Sequence, residues 1–71
     1  MEARELARII EDFLETLTKK ERVIFMLRYA YMDTYADIAK RVGISDKNVS
    51  VRLTFIRQKL RDYLIEREVL V

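Results

Sequence analysis

Between Ser45 and Arg61 the chain reads SDKNVSVRLTFIRQKLR, which places amides, hydroxyls and cationic side chains at helical spacing. Such groups can hydrogen-bond base edges and phosphate oxygens. Catalytic chemistry is poorly provided for. The chain has no histidine and no cysteine, so it lacks an imidazole base, a thiolate nucleophile, a disulfide and the usual zinc ligands. Its single glycine cannot build a phosphate loop. Glu11 and Asp12 are neighbours in sequence, so a helix turns them to adjacent faces, where they read as solvated surface. Neither an enzyme, nor a cofactor, nor a bound metal is expected.

At about 100° per residue from Val49, the positions Lys47, Ser50, Val51, Thr54, Phe55 and Gln58 fall between about 100° and 240°. That side lies opposite the apolar stripe Val49, Leu53, Ile56, Leu60 and Leu64. Arg57 and Arg61 border one flank, and Arg52 and Lys59 the other. Cationic edges around a less charged centre suit a groove between two phosphate backbones. Val51 and Phe55 are apolar where surface patterning calls for polar groups. Two readings of that pair stand side by side: with the methyl of Thr54 they press on thymine methyl groups, or they form a patch for a protein partner or a second copy.

Four helices must position these side chains, and the pattern predicts an all-α fold. Over roughly residues 2–16, Leu6, Ile9, Ile10, Phe13, Leu14 and Leu17 recur at spacings of three and four. Thr18 and Glu21 in TKKE form a capping box that starts a second helix. Its inner side is marked by Ile24, Leu27 and Tyr31, with Val23 and Met26 beside them. YMDT ends it. Thr34 and Asp37 repeat the cap for a third helix, whose Ile38, Ala39 and Val42 face inward. Gly43 then fits a left-handed turn, Ile44 plugs the bend and Ser45 caps the fourth helix. Ala39, four residues before Gly43, is small enough for the third and fourth helices to cross closely. A short helix, a glycine turn and a longer helix over about residues 34–64 read as a helix-turn-helix. A small bundle with the same turn and no nucleic-acid partner is the plainer alternative. Tyr29, Tyr31, Tyr35 and Tyr63 read as amphipathic edges of the core.

Composition agrees with a small helical module. A chain of 71 residues that is 51% hydrophobic and 37% charged can build one modest core, so residues 1–71 are expected to form a single domain. No apolar run approaches a membrane span and no leader is recognised, which predicts a cytoplasmic protein. Residues 1–36 hold six Lys and Arg against seven Asp and Glu, and residues 37–71 hold eight against five, giving −1 and +3. The basic excess sits with the helix-turn-helix, a pointer to a polyanion.

From Leu17 to Leu64 the sequence resembles region four of bacterial RNA polymerase sigma factors, particularly the extracytoplasmic-function type. The resemblance rests on LTKKERVIFMLRY, YADIAKRVGIS, VSVRL and IRQKLRDYL, with no insertion between them. Leu6 to Phe13 fit the leading helix of that family less distinctively. The resemblance implies a C-terminal promoter-recognition domain whose last helix reads the −35 element, with RNA polymerase core (its flap) and an anti-sigma protein as further partners. It places base readers at Ser50, Val51, Thr54 and Phe55 and recurrent arginines at Arg52 and Arg57. The full set of candidate DNA contacts is Thr34, Tyr35, Lys47, Asn48, Ser50, Val51, Arg52, Thr54, Phe55 and Arg57. Basic residues are common in the family at the places of Ser50 and Phe55, Lys19 replaces a frequent proline, and MDT replaces a turn that usually contains glycine.

The output domains of response regulators and quorum-type activators share the LTKKERV and DIAKRVGIS patterns. They usually carry histidine at the place of Arg52, and their chain bends away where LRDYLIERE continues helically. A third expectation is a sigma-like adaptor whose Val51 and Phe55 bind protein. Nothing upstream supplies a −10-melting segment, so the chain is expected to be either part of a longer sigma factor or a stand-alone homologue, binding duplex DNA as a monomer. The apolar residues Val69, Leu70 and Val71 are expected to fold back on the first helix.

Overall fold

A computed structural model describes residues 2–69. They form four helices: α1 (Ala3–Glu15), α2 (Lys19–Tyr29), α3 (Tyr35–Val42) and α4 (Asp46–Glu66). No described residue lies in a strand. Among the described residues no helix is long and apolar enough to cross a membrane.

The caps follow the sequence closely. Thr18 Oγ1 accepts the Glu21 amide at 3.2 Å while its own amide donates to Glu21 Oε1 at 3.0 Å, a complete capping box. Thr34 Oγ1 accepts the Asp37 amide at 3.1 Å, without the reciprocal bond. Ser45 Oγ accepts the Asn48 amide at 3.1 Å and opens α4. Gly43 adopts φ 79°, and the amides of Gly43 and Ile44 both donate to the Ala39 carbonyl, at 2.8 and 3.1 Å. This closes α3 in a Schellman-type turn. Two further helix ends use the left-handed region without glycine: Met32 at φ 57° after α2 and Glu68 at φ 60° after α4. Val69 donates to the Leu64 carbonyl across that last turn. The expected packing of Leu70 and Val71 lies outside the described residues.

Phe13, Leu17, Ile24, Phe25, Ile38, Ala39, Val49, Leu53 and Ile56 form the core, and among the described residues no polar or charged one is buried with them. α4 packs against both α3 and α2, and α2 against α3. Phe13 brings in α1: its ring meets Phe25 edge-on at 6.1 Å and Tyr63 of α4 at 5.4 Å. Arg22 Nε donates to the Leu14 carbonyl at 3.1 Å, adding a side-chain bond to an oxygen at the end of α1 that also accepts the Leu17 amide at 3.2 Å.

The inner side of α2 differs in part from the expected one: Ile24 is buried and Leu27 packs against the core as expected, while other positions do not follow. Phe25 is buried, whereas Val23 and Met26 are exposed. At 100° per residue, the direction that points Ile24 and Phe25 into the core turns Val23 and Met26 away. Tyr31 is 70% exposed, because α2 stops at Tyr29 and the chain turns before Tyr31 can return to the inner face. Leu6 is also exposed, since the first turns of α1 run past the core. Tyr35 and Tyr63 sit at the core edge as expected, and Tyr29, though half exposed, packs on Phe25 of the core, while Tyr31 stands outside it.

A Cβ added to Gly43 meets nothing within 4 Å, so Gly43→Ala costs only backbone strain. We expect roughly 1–2 kcal/mol of lost stability, seen in thermal unfolding as a midpoint lower by roughly 4–8 °C per kcal/mol. Met32→Gly relieves the same strain at a side chain that is 81% exposed. Its midpoint should rise, by less than Gly43→Ala lowers it, because glycine also frees the unfolded chain.

Candidate nucleic-acid interface

α4 owes its orientation to Val49, Leu53 and Ile56, all fully buried. With that stripe turned inward, Lys47, Asn48, Ser50, Val51, Thr54, Phe55, Arg57 and Gln58 are exposed, and Arg52 is half-buried at the flank. No part of the described chain covers this side. Val51 is 44% and Phe55 56% exposed, an apolar centre on an otherwise polar surface. Thr54 Oγ1 donates to the Ser50 carbonyl at 2.9 Å, which holds its side chain in one rotamer. The oxygen of that hydroxyl remains an acceptor.

The flanking cations are treated unequally. Lys59 Nζ lies 2.8 Å from Glu21 Oε2, so the charge expected at one edge is neutralised by a carboxylate from α2. That hydrogen bond, with the Thr18 amide second, holds the Glu21 carboxyl below its ordinary value of 4.5. Arg41 Nε stands 3.1 Å from Asp33 Oδ2, a second ion pair. Arg57 has no carboxylate partner among the described residues. Its Nε donates to the Tyr29 hydroxyl at 2.7 Å and its Nη2 to the Tyr35 hydroxyl at 2.8 Å. Both bonds raise the already high pKa of the guanidinium, so its charge is permanent and stands uncompensated.

The structure thus divides the candidate contacts into three groups. Lys47, Asn48, Ser50, Val51, Thr54 and Phe55 share the outward side of α4. Thr34 and Tyr35 begin α3, and Tyr35 joins Arg57 on one flank. Arg52 sits apart, at the edge that also carries Lys59. Tyr29 is the group the sequence did not single out. It lies 28 residues from Arg57, and no periodicity links the two.

Comparison with known proteins gives a consistent picture. The family model described as Sigma-70, region 4 matches residues 7–60. The chain is 39% identical over 56 residues to RNA polymerase sigma factor SigF of Mycobacterium tuberculosis, in strain CDC 1551 / Oshkosh and in strain ATCC 25618 / H37Rv. The match takes in 79% of this chain and 22% of each relative, so the chain spans about a fifth of the length of these relatives.

The Glu21–Lys59 pair gives a pH signature. A carboxylate whose folded pKa is depressed contributes stability above its unfolded pKa and loses it as pH falls through the folded value. Glu21→Gln should therefore lower the thermal midpoint at pH 7. The gap to the parent chain should shrink once pH drops below about 4. An unchanged gap at low pH would show that the loss does not come from the charge of Glu21.

Proposed function

The chain belongs to the sigma-70 region 4 family, and from that premise we propose that it binds the −35 element of promoter DNA in duplex form and contributes to transcription initiation with RNA polymerase. Residues 1–71 act as one module in this reading, as a monomer on its site, with the polymerase flap and an anti-sigma protein as its protein partners. It is a recognition module and not an enzyme. The observation that carries the proposal is the uncovered outward side of α4, with a weakly charged centre and cations along its edges.

In this reading α4 lies in the major groove. Lys47, Asn48 and Ser50, near its N-terminus, hydrogen-bond base edges or phosphate, as the leading residues of recognition helices do. Val51, Phe55 and the Thr54 methyl pack on thymine C5-methyl groups, the one apolar feature of the major-groove code. Arg52 and Arg57 meet the phosphate backbones on either side, and Thr34 and Tyr35 approach the backbone from the start of α3. Lys59, already paired with Glu21, contributes little to the field.

The exposed Val51 and Phe55 also favour a second reading, a sigma-like adaptor that binds protein through this pair. A duplex selected from a randomised pool separates the two. Promoter binding predicts enrichment of a −35-like motif and a log-log salt slope of about −3 to −4, corresponding to three or four phosphate contacts. Replacing one contacted thymine by uracil should cost roughly 0.8 kcal/mol, about fourfold in Kd, the worth of one buried methyl. The double substitution V51A/F55A should remove the preference for thymine and leave the salt slope unchanged. No enrichment, or intact DNA affinity in V51A/F55A with a lost protein partner, supports the adaptor instead.

A further inference from the structure

Arg57, Tyr29 and Tyr35 come from three helices and meet at the flank of α4, and their geometry is that of a partly filled anion site. A guanidinium has five N–H donors, and the edge formed by Nε and one Nη is the fork that matches a planar carboxylate. Here that fork is spent on two neutral phenol oxygens. Three N–H donors remain without a partner among the described residues. Each phenol oxygen accepts from the guanidinium, so its own proton must point away from the cation and is available to a further acceptor.

Both rings are held in place. Tyr29 packs on Phe25 with centroids 4.9 Å apart, and Phe25 belongs to the core. Tyr35 lies under the Arg28 guanidinium, 5.0 Å from its centroid, while Arg28 Nη1 donates to the Asp33 carbonyl at 3.0 Å. The cluster is therefore fixed before any ligand arrives, which lowers the ordering cost of binding. It is also cationic, with no acid paired to it among the described residues. Lys59 and Arg41 each receive a carboxylate from this chain, whereas Arg57 receives only hydroxyls.

We propose that Tyr29, Tyr35 and Arg57 form a binding site for one phosphodiester of the DNA backbone, the two phenolic hydroxyls donating to its oxygens and the guanidinium supplying the charge. The proposal rests on the promoter-DNA reading and adds to it a contact residue, Tyr29, from outside the helix-turn-helix. A tetrahedral anion suits donors converging from three side chains. A planar carboxylate would want the fork that is already occupied. Position agrees: residues 50, 54, 57 and 61 follow one another at spacings of four, three and four, so Arg57 lies on the strip that borders the outward side of α4, where a groove-bound helix meets the backbone.

The test uses the full 71-residue chain and its selected duplex, with single phosphates replaced in turn by neutral methylphosphonates. Tyr29→Phe and Tyr35→Phe are measured singly and together, with thermal midpoints alongside. On the unmodified duplex Y29F/Y35F should bind about tenfold more weakly, as expected for lost hydrogen bonds to a charged acceptor. At one phosphate, the methylphosphonate should cost the parent chain a similar factor and the double variant nothing further. In the parent chain the Nε–H resonance of Arg57 should shift on addition of duplex, a readout that needs no variant to fold. Parent-like affinity of Y29F/Y35F, additive losses at every phosphate, or an unmoved Arg57 resonance overturns the site while leaving promoter binding intact. Unchanged duplex affinity in Y29F/Y35F with lost binding to polymerase assigns the cluster to a protein carboxylate and overturns it as well. A parent chain that binds no duplex at all overturns the promoter reading itself.

Discussion

Burial of Val49, Leu53 and Ile56 against α2 and α3 is the constraint on which the rest of the molecule depends. A helix has one rotational freedom about its axis, and three fully buried side chains remove it. Once they point inward, Ser50, Val51, Thr54 and Phe55 have no choice but to face solvent. The same rotation sends Lys59 toward Glu21 on α2 and Arg57 toward Tyr29 and Tyr35. The core therefore fixes which side of α4 is presented, and also which of its cations stay unpaired. Gly43 serves this constraint. By ending α3 in a left-handed turn it lets Ile38 and Ala39 reach α4 after a connection of only three residues.

Much of this was legible because it is local. A capping box spans four residues, a Schellman turn spans six, and an apolar stripe repeats every three or four, so each is written in a short window. The caps at Thr18, Thr34 and Ser45, the turn at Gly43 and the outward position of Val51 and Phe55 were all readable for that reason. The inner side of α2 was readable only in part. Ile24 and Leu27 do meet the core, but whether Phe25 or Tyr31 completes that side is decided only by the docking of α2 on α3 and α4 and by where α2 ends. Met32 was hidden by a different cause. A left-handed residue without glycine leaves no compositional mark, and its strain is accepted because the Asp33 amide gains the Leu27 carbonyl as a partner.

Polar contacts between helices were the least legible layer. Lys59 and Glu21 are separated by 38 residues, and Arg57 and Tyr29 by 28. A helical wheel shows that Lys59 and Arg57 both sit beside the outward face, and there its information ends. Which of the two cations finds an acid depends on what the neighbouring helices bring to each flank. α2 brings Glu21 to one side, with its carboxylate already aligned by the capping box. On the other side, the end of α2 and the start of α3 bring phenols. The candidate site is thus asymmetric in charge for a reason that lies wholly in tertiary structure.

That asymmetry bears on how a small module can discriminate among DNA sequences. Cations add affinity without sequence information, because every phosphate is alike and counterion release is indifferent to the bases. Neutralising Lys59 within the chain lowers this indiscriminate part. An apolar centre works in the opposite sense: Val51 and Phe55 gain nothing from phosphate and gain from a base edge only where a methyl group stands. In the promoter-binding reading, the module then trades affinity for selectivity. In that reading such a module binds weakly alone, and tethering to further contacts in a longer chain would raise its effective concentration. Basic side chains at Ser50 and Phe55 would reverse the trade, tightening binding to all duplexes while erasing the apolar discrimination.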